Sequence, residues 1–306
     1  MPRPGSWPFW RAPWPIARTM NDLRKLAMGL CMLAALPALP AAAQLKVAFP
    51  SIGGPEIDGY VYRPEGAGPF PAVVGMHGCS GMWNREGRVS ALLRLWVRVL
   101  TAEGYVVLLV DGFTPRGVVS DCNVGSAKVT PALVRPRDAH GGLRWLQEQP
   151  YVRGDRVAIM GWSHGGGTVL YAAGPGNPVA VSDLPKGGFR AAVSLYPGSC
   201  YIRRHGNWYL PTMPLLTLLG AADNWTPLGP CVELMERIKS RGGRLDYVVY
   251  PDAHHGFDGP SNEVVPLIGL VGADRINPPL VGGNPVARAD TQLRVKAFLA
   301  ENLRGD

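Results

Sequence analysis

The sequence predicts an α/β fold, a mostly parallel central sheet covered by helices on both faces. Three observations point there. Short apolar runs of strand character alternate along the chain with stretches whose apolar residues recur at helical spacing. Those strand runs are continuously apolar rather than alternating, as strands buried on both faces must be. The 306 residues, 46% of them hydrophobic, keep one composition class throughout, which suits a single large core.

Residues 45–49 and 59–63 read as short strands on either side of Gly53-Gly54-Pro55, an antiparallel pair at the sheet edge. Residues 71–76 are an apolar run bounded by turn signals, hence a buried strand, and His77-Gly78-Cys79-Ser80-Gly81 leaves it as a loop. Over 89–102, Leu92, Leu93, Leu95, Trp96, Val99 and Leu100 recur at helical spacing, and Gly104 stops the helix. A strand at 105–110 ends at Asp111. The loop over 112–130 holds Arg116 and Cys122, and 131–149 is mostly helix. The strand at 156–160 turns directly into a helix at 165–173. Strands at 191–195, 214–219 and 245–250 follow, with a helix at 229–241 and an amphipathic helix at 287–303. On such sheets ligands bind at the carboxyl ends of the strands, where these polar loops collect.

Residues 1–43 read as an upstream extension and signal peptide, leaving 44–306 as one domain. Asn21-Asp22-Leu23-Arg24-Lys25 is a short charged lead to the apolar residues 26–39, which are too short and Pro-interrupted to span a bilayer. Ala41-Ala42-Ala43 supplies small residues for cleavage before Gln44. The expectation is a periplasmic or secreted protein with no membrane attachment after cleavage. Losing Cys31 leaves Cys79, Cys122, Cys200 and Cys231, an even number that an oxidising compartment can pair in three ways. Cys79–Cys122 and Cys200–Cys231 are favoured, because each joins loops that follow neighbouring strands on one sheet edge. The formal charge of +8 falls by about half without the leader, which carries five Lys/Arg and one acid. What remains is dispersed, with no basic stripe among aromatics, so nucleic acid is not an expected partner.

The chemistry centres on Gly161-Trp162-Ser163-His164-Gly165, where an apolar strand meets a helix. A sharp strand-to-helix turn strains the serine backbone and exposes its hydroxyl, and glycines two residues either side remove the Cβ atoms that would clash. Serine needs a base to take its proton and a carboxylate to hold that base in one tautomer. Of six histidines, His254 and His255 follow the last strand and fit the order serine, acid, histidine. His255 is the preferred base, with Gly256 freeing the loop and Phe257 anchoring it. Asp223, after the strand at 214–219, is the preferred acid; Asp252 and Asp258 read as loop-capping groups. The oxyanion hole should use the backbone N–H groups of His164 and Cys79. Trp162 and Trp225 are candidate pocket walls. No cofactor is called for, and the histidine pair lacks a third metal ligand at suitable spacing.

Four motifs in order resemble the dienelactone hydrolase family of the α/β-hydrolase fold: Met76-His77-Gly78-Cys79-Ser80-Gly81; Val110-Asp111-Gly112-Phe113 with Arg116-Gly117; the serine elbow; and Gly220-x-x-Asp223 with Ala253-His254-His255-Gly256-Phe257. The resemblance implies a triad of Ser163, Asp223 and His255, and a substrate-binding role for Arg116. It also marks departures. The enzymes that name the family carry cysteine at the position of Ser163 and a glutamate at that of Gly78, and Asp258 falls near a second arginine that clamps the lactone carboxylate. The expectation is therefore an exported serine hydrolase acting on a small-molecule ester other than dienelactone. A serine peptidase of related fold and a non-catalytic envelope binding protein are the rival readings.

Overall fold

The computed structural model describes residues 44–123, 128–270 and 276–305; the expected leader at 1–43 lies outside the described residues. Eight strands form one sheet: β1 (Gln44–Pro50), β2 (Glu56–Tyr62), β3 (Phe70–Met76), β4 (Val106–Asp111), β5 (Val152–Trp162), β6 (Ala191–Leu195), β7 (Leu215–Gly220) and β8 (Leu245–Tyr250). Their order is β1-β2-β4-β3-β5-β6-β7-β8. β2 runs antiparallel to both β1 and β4, and every later pairing is parallel. This is the predicted α/β architecture, with the antiparallel pair at its edge.

Helices α1 (Ala91–Ala102), α2 (Val134–Gln147), α3 (His164–Ala173), α4 (Ile202–His205), α5 (Leu228–Ser240) and α6 (Pro285–Leu303) connect or close these strands. Successive strand residues point to opposite faces, so each strand feeds two cores. Val157 and Ile159 of β5 join Leu143 of α2, Leu170 of α3 and Met235 of α5 in one core. Ala158, Met160 and Trp162 join Trp96 of α1 and Leu299 of α6 in the other. That double burial is why the strand runs are continuously apolar.

The boundaries differ from expectation where local chemistry competes. α1 starts after Ser90, whose hydroxyl caps Leu93 N–H, because Val89 is held in a bridge with Trp83. α2 starts at Val134 rather than 131, with the Thr130 carbonyl accepting from Val134 and Arg135 N–H. β5 extends past the expected 156–160 in both directions, through an irregularity in its pairing with β3 and forward to Trp162. The long segment after His255 contains two short strands, β9 (Val265–Pro266) and β10 (Leu280–Val281), paired antiparallel and bridged back to His255 through Val281.

Candidate active site

The end of β5 brings Ser163 to the carboxyl edge of the sheet, between β3 and β6. Its backbone sits at φ 55° and ψ −113°, outside the favoured regions for an L-residue. Such a conformation costs roughly 1–3 kcal/mol and persists only where its surroundings enforce it. Here they do. Ser163 N–H donates to Leu195 O at 3.0 Å, and Ser163 O accepts from Gly167 and Gly198 N–H. A Cβ on Gly165 would stand 1.9 Å from Met76 O, and one on Gly161 would stand 2.3 Å from Gly165 O. Both glycines of the motif are required by backbone packed against backbone.

Three loops from three strands then meet. His255, after β8, brings Nε2 to 2.8 Å from Ser163 Oγ and Nδ1 to 2.7 Å from Asp223 Oδ2. Asp223, after β7, is fixed further by Trp225 and Thr226 N–H donating to Oδ1 and by the Thr226 hydroxyl donating to Oδ2 at 2.7 Å. Burial alone would push the Asp223 carboxyl up. The imidazole of His255 and the Thr226 donors outweigh it and hold the carboxyl below the usual range. Asp223 and His255 are both buried, so their hydrogen bond is shielded from water. Thr226 went unnoticed in the sequence; its signal is the three-residue spacing from Asp223 at the entry to α5, where a side-chain cap is common.

Other expected roles turn out differently. Arg116 does not face the site: its guanidinium grips the buried Asp138 through two contacts of 2.8 and 2.9 Å, and it lines neither cavity at Ser163. A buried carboxylate on the neighbouring helix outcompetes a substrate for that fork. Asp258 is not a loop cap. It is fully enclosed and accepts from the indoles of Trp96 (2.7 Å) and Trp162 (2.9 Å) and from the Tyr196 hydroxyl (2.8 Å). His254 holds Ala222 O through Nδ1 at 3.0 Å, which leaves His255 as the imidazole on the serine.

Among the described residues, a larger and a smaller cavity open on Ser163. The larger, about 560 Å³, runs over His164, Pro197, Thr226 and Arg204. The smaller, about 390 Å³, is more apolar and takes in Leu93, Trp162, Tyr196, Leu267 and His255. Trp225 and Cys79 border both. Trp162 thus contributes a wall while spending its N–H on Asp258; Trp225 stands with its ring 4.7 Å from that of His255. Two disulfides frame these walls, Cys79–Cys122 and Cys200–Cys231, the favoured pairing. Among the described residues no cluster of His, Cys, Asp or Glu is arranged to hold a metal ion, and no helix is long and apolar enough to cross a membrane.

The sheet order and the serine elbow define the α/β-hydrolase fold. Residues 57–303 match the family described as "Dienelactone hydrolase family", and the chain belongs to it. Among curated proteins it is 24% identical over 210 residues to the "Probable 2-oxo-3-(5-oxofuran-2-ylidene)propanoate lactonase" of Bradyrhizobium sp, covering 65% of this chain and 77% of that one. It is 25% identical over 247 residues to dipeptidyl peptidase 8 of Mus musculus, covering 70% of this chain but only 26% of the peptidase. Among solved structures, Thermogutta terrifontis esterase 2 phosphorylated by paraoxon superposes with a TM-score of 0.60 at 18% identity, covering 90% of this chain and 100% of that one.

Proposed function

We propose that this protein cleaves a carboxylic ester through an acyl-Ser163 intermediate. The continuous hydrogen-bonded path from Asp223 through His255 to Ser163 Oγ carries the reading. His255 Nε2 takes the Ser163 proton as Oγ attacks the ester carbonyl, then delivers it to the departing alkoxide. Water repeats the sequence on the acyl-enzyme and releases the acid. Asp223 keeps the proton of neutral His255 on Nδ1 and stabilises the imidazolium formed at each attack. The oxyanion formed at each attack is received by the N–H groups of His164 and Cys79. His164 opens α3, so its N–H has no partner within the helix. Gly78 brings the Cys79 loop against Ser163: a Cβ there would stand 3.7 Å from Ser163 Cβ.

Trp162 and Trp225 line the site as apolar walls of the substrate cleft. Similarity to a dipeptidyl peptidase supports a second reading, cleavage of an amide by the same groups. Matched p-nitrophenyl ester and p-nitroanilide substrates separate the two: turnover of the ester alone is expected, and preferential turnover of the anilide overturns the ester reading. Ser163→Ala should abolish ester turnover with an unchanged melting transition. Two disulfides support residence in an oxidising compartment, consistent with export after cleavage before Gln44.

A further inference from the structure

We propose that Arg135 is a positioning residue of the oxyanion hole, tying its two halves together and setting a buried positive charge behind them. The proposal rests on the acyl-serine reading and adds a group outside the triad. Arg135 lies in the first turn of α2 with no exposed surface. One nitrogen, Nη1, donates at 2.8 Å to His77 O and at 2.8 Å to His164 Nδ1. Those are the two sides of the proposed hole: His77 begins the loop that presents Cys79 N–H, and His164 is the residue whose N–H forms the other side. A single guanidinium therefore spans the loop after β3 and the start of α3.

Stability alone does not account for this arrangement. A positive charge in the first turn of a helix opposes the helix dipole, and a buried guanidinium normally faces a carboxylate. Among the described residues no carboxylate lies within ion-pair distance of Arg135, and its Nε and Nη2 have no hydrogen-bond partner. Its other neighbour is the Phe113 ring, whose centroid is 5.1 Å away. Phe113 in turn packs edge-on against the rings of His77 (4.6 Å) and His164 (5.9 Å). The cluster thus packs Arg135 and Phe113 against His77 and His164, one residue from each side of the proposed hole.

The protonation states agree. Burial pulls Arg135 down to about 10, which leaves it charged at neutral pH. Burial and the nearby guanidinium push His164 down to about 2, so that ring is neutral. Accepting from Arg135 at Nδ1 places its single proton on Nε2. The resting hole is thus backed by a cation that Asp138, Asp111 and Asp121 favour only from beyond ion-pair distance, and the closest negative charge it meets is the oxyanion that forms during reaction. A preorganised charge of this kind favours the transition state over the neutral ester.

The test compares Arg135→Met and Arg135→Lys with the unaltered chain, using p-nitrophenyl butyrate turnover and the affinity of phenylboronic acid, which forms an anionic tetrahedral adduct on serine. Arg135→Met should lower kcat about 100-fold, the scale of a lost oxyanion-hole donor, with KM within about twofold. Boronate affinity should fall by a similar factor, and Arg135→Lys should recover part of both. Should the Met variant fail to show a cooperative melting transition, the Lys variant decides, with about a tenfold loss expected in kcat and in boronate affinity. Boronate affinity within about twofold of the unaltered chain in the folded variant overturns the proposal. So does a loss confined to KM. Failure of the unaltered chain to form any boronate adduct would instead remove the acyl-serine reading beneath it.

Discussion

Asp223 and Asp258 are both almost wholly enclosed, and they differ in what faces them. Asp223 faces the His255 imidazole, together with the Thr226 donors, and its carboxyl is held below the ordinary range despite burial. Asp258 faces only neutral donors, two indoles and a phenol, and burial pushes its carboxyl up in spite of them. Depth of burial is common to both. The partners decide that one carboxyl, beside an imidazole, is held down and the other, among neutral donors, is pushed up. Asp258 works as an anchor: it ties the segment after His255 to Trp162, the residue before Ser163. It also ties it to Tyr196, whose ring packs 4.7 Å from that of His255.

Neutralising each carboxylate tests the contrast. Asp223→Asn should lower kcat by about 10³–10⁴-fold, because the amide no longer enforces the working tautomer, while the melting temperature changes little. Loss of stability without loss of kcat would reverse the assignment. Asp258→Asn should do the opposite. An amide cannot accept all three donors, so about 2 kcal/mol of stability should be lost in denaturant titration, with kcat reduced no more than about tenfold. A kcat effect as large as that of Asp223→Asn would make Asp258 a second catalytic carboxylate.

Acid titration of stability sharpens the comparison further. Asp223, with its pKa lowered on folding, contributes stability above the unfolded value near 4, and loses it as pH falls through the lower folded pKa. Asp258, with its pKa raised, contributes below the unfolded value and loses its contribution as pH rises through the folded one. Between pH 7 and 3, Asp223→Asn should make the acid decline in melting temperature shallower and Asp258→Asn should make it steeper. Parallel curves for all three proteins would mean that the two environments do not differ in charge.

How much could be read beforehand follows from how local each signal is. The strands were legible because each is a continuous apolar run, and the elbow because its glycines answer a steric need within five residues. The placement of His255 and Asp223 beside Ser163 was legible from their positions after the last two strands of the sheet. Asp258 was misread because its three donors come from α1, the end of β5 and the residue after β6, a convergence that sequence spacing does not show. Arg116 was misread for the same reason: its partner Asp138 lies 22 positions away on α2. Arg135 gave no warning, since in sequence a helical arginine looks like a solvated one and only packing reveals it fully enclosed.

The most direct test is to trap the intermediate. Mixing the protein with a p-nitrophenyl ester and quenching in acid within milliseconds should give, by peptide mass analysis, one acyl group on the peptide containing Ser163. The acyl group should accumulate with the initial release of nitrophenolate and be absent from Ser163→Ala. Ester turnover with no acyl group at Ser163 under any quench time, or with the group on another side chain, would contradict the account.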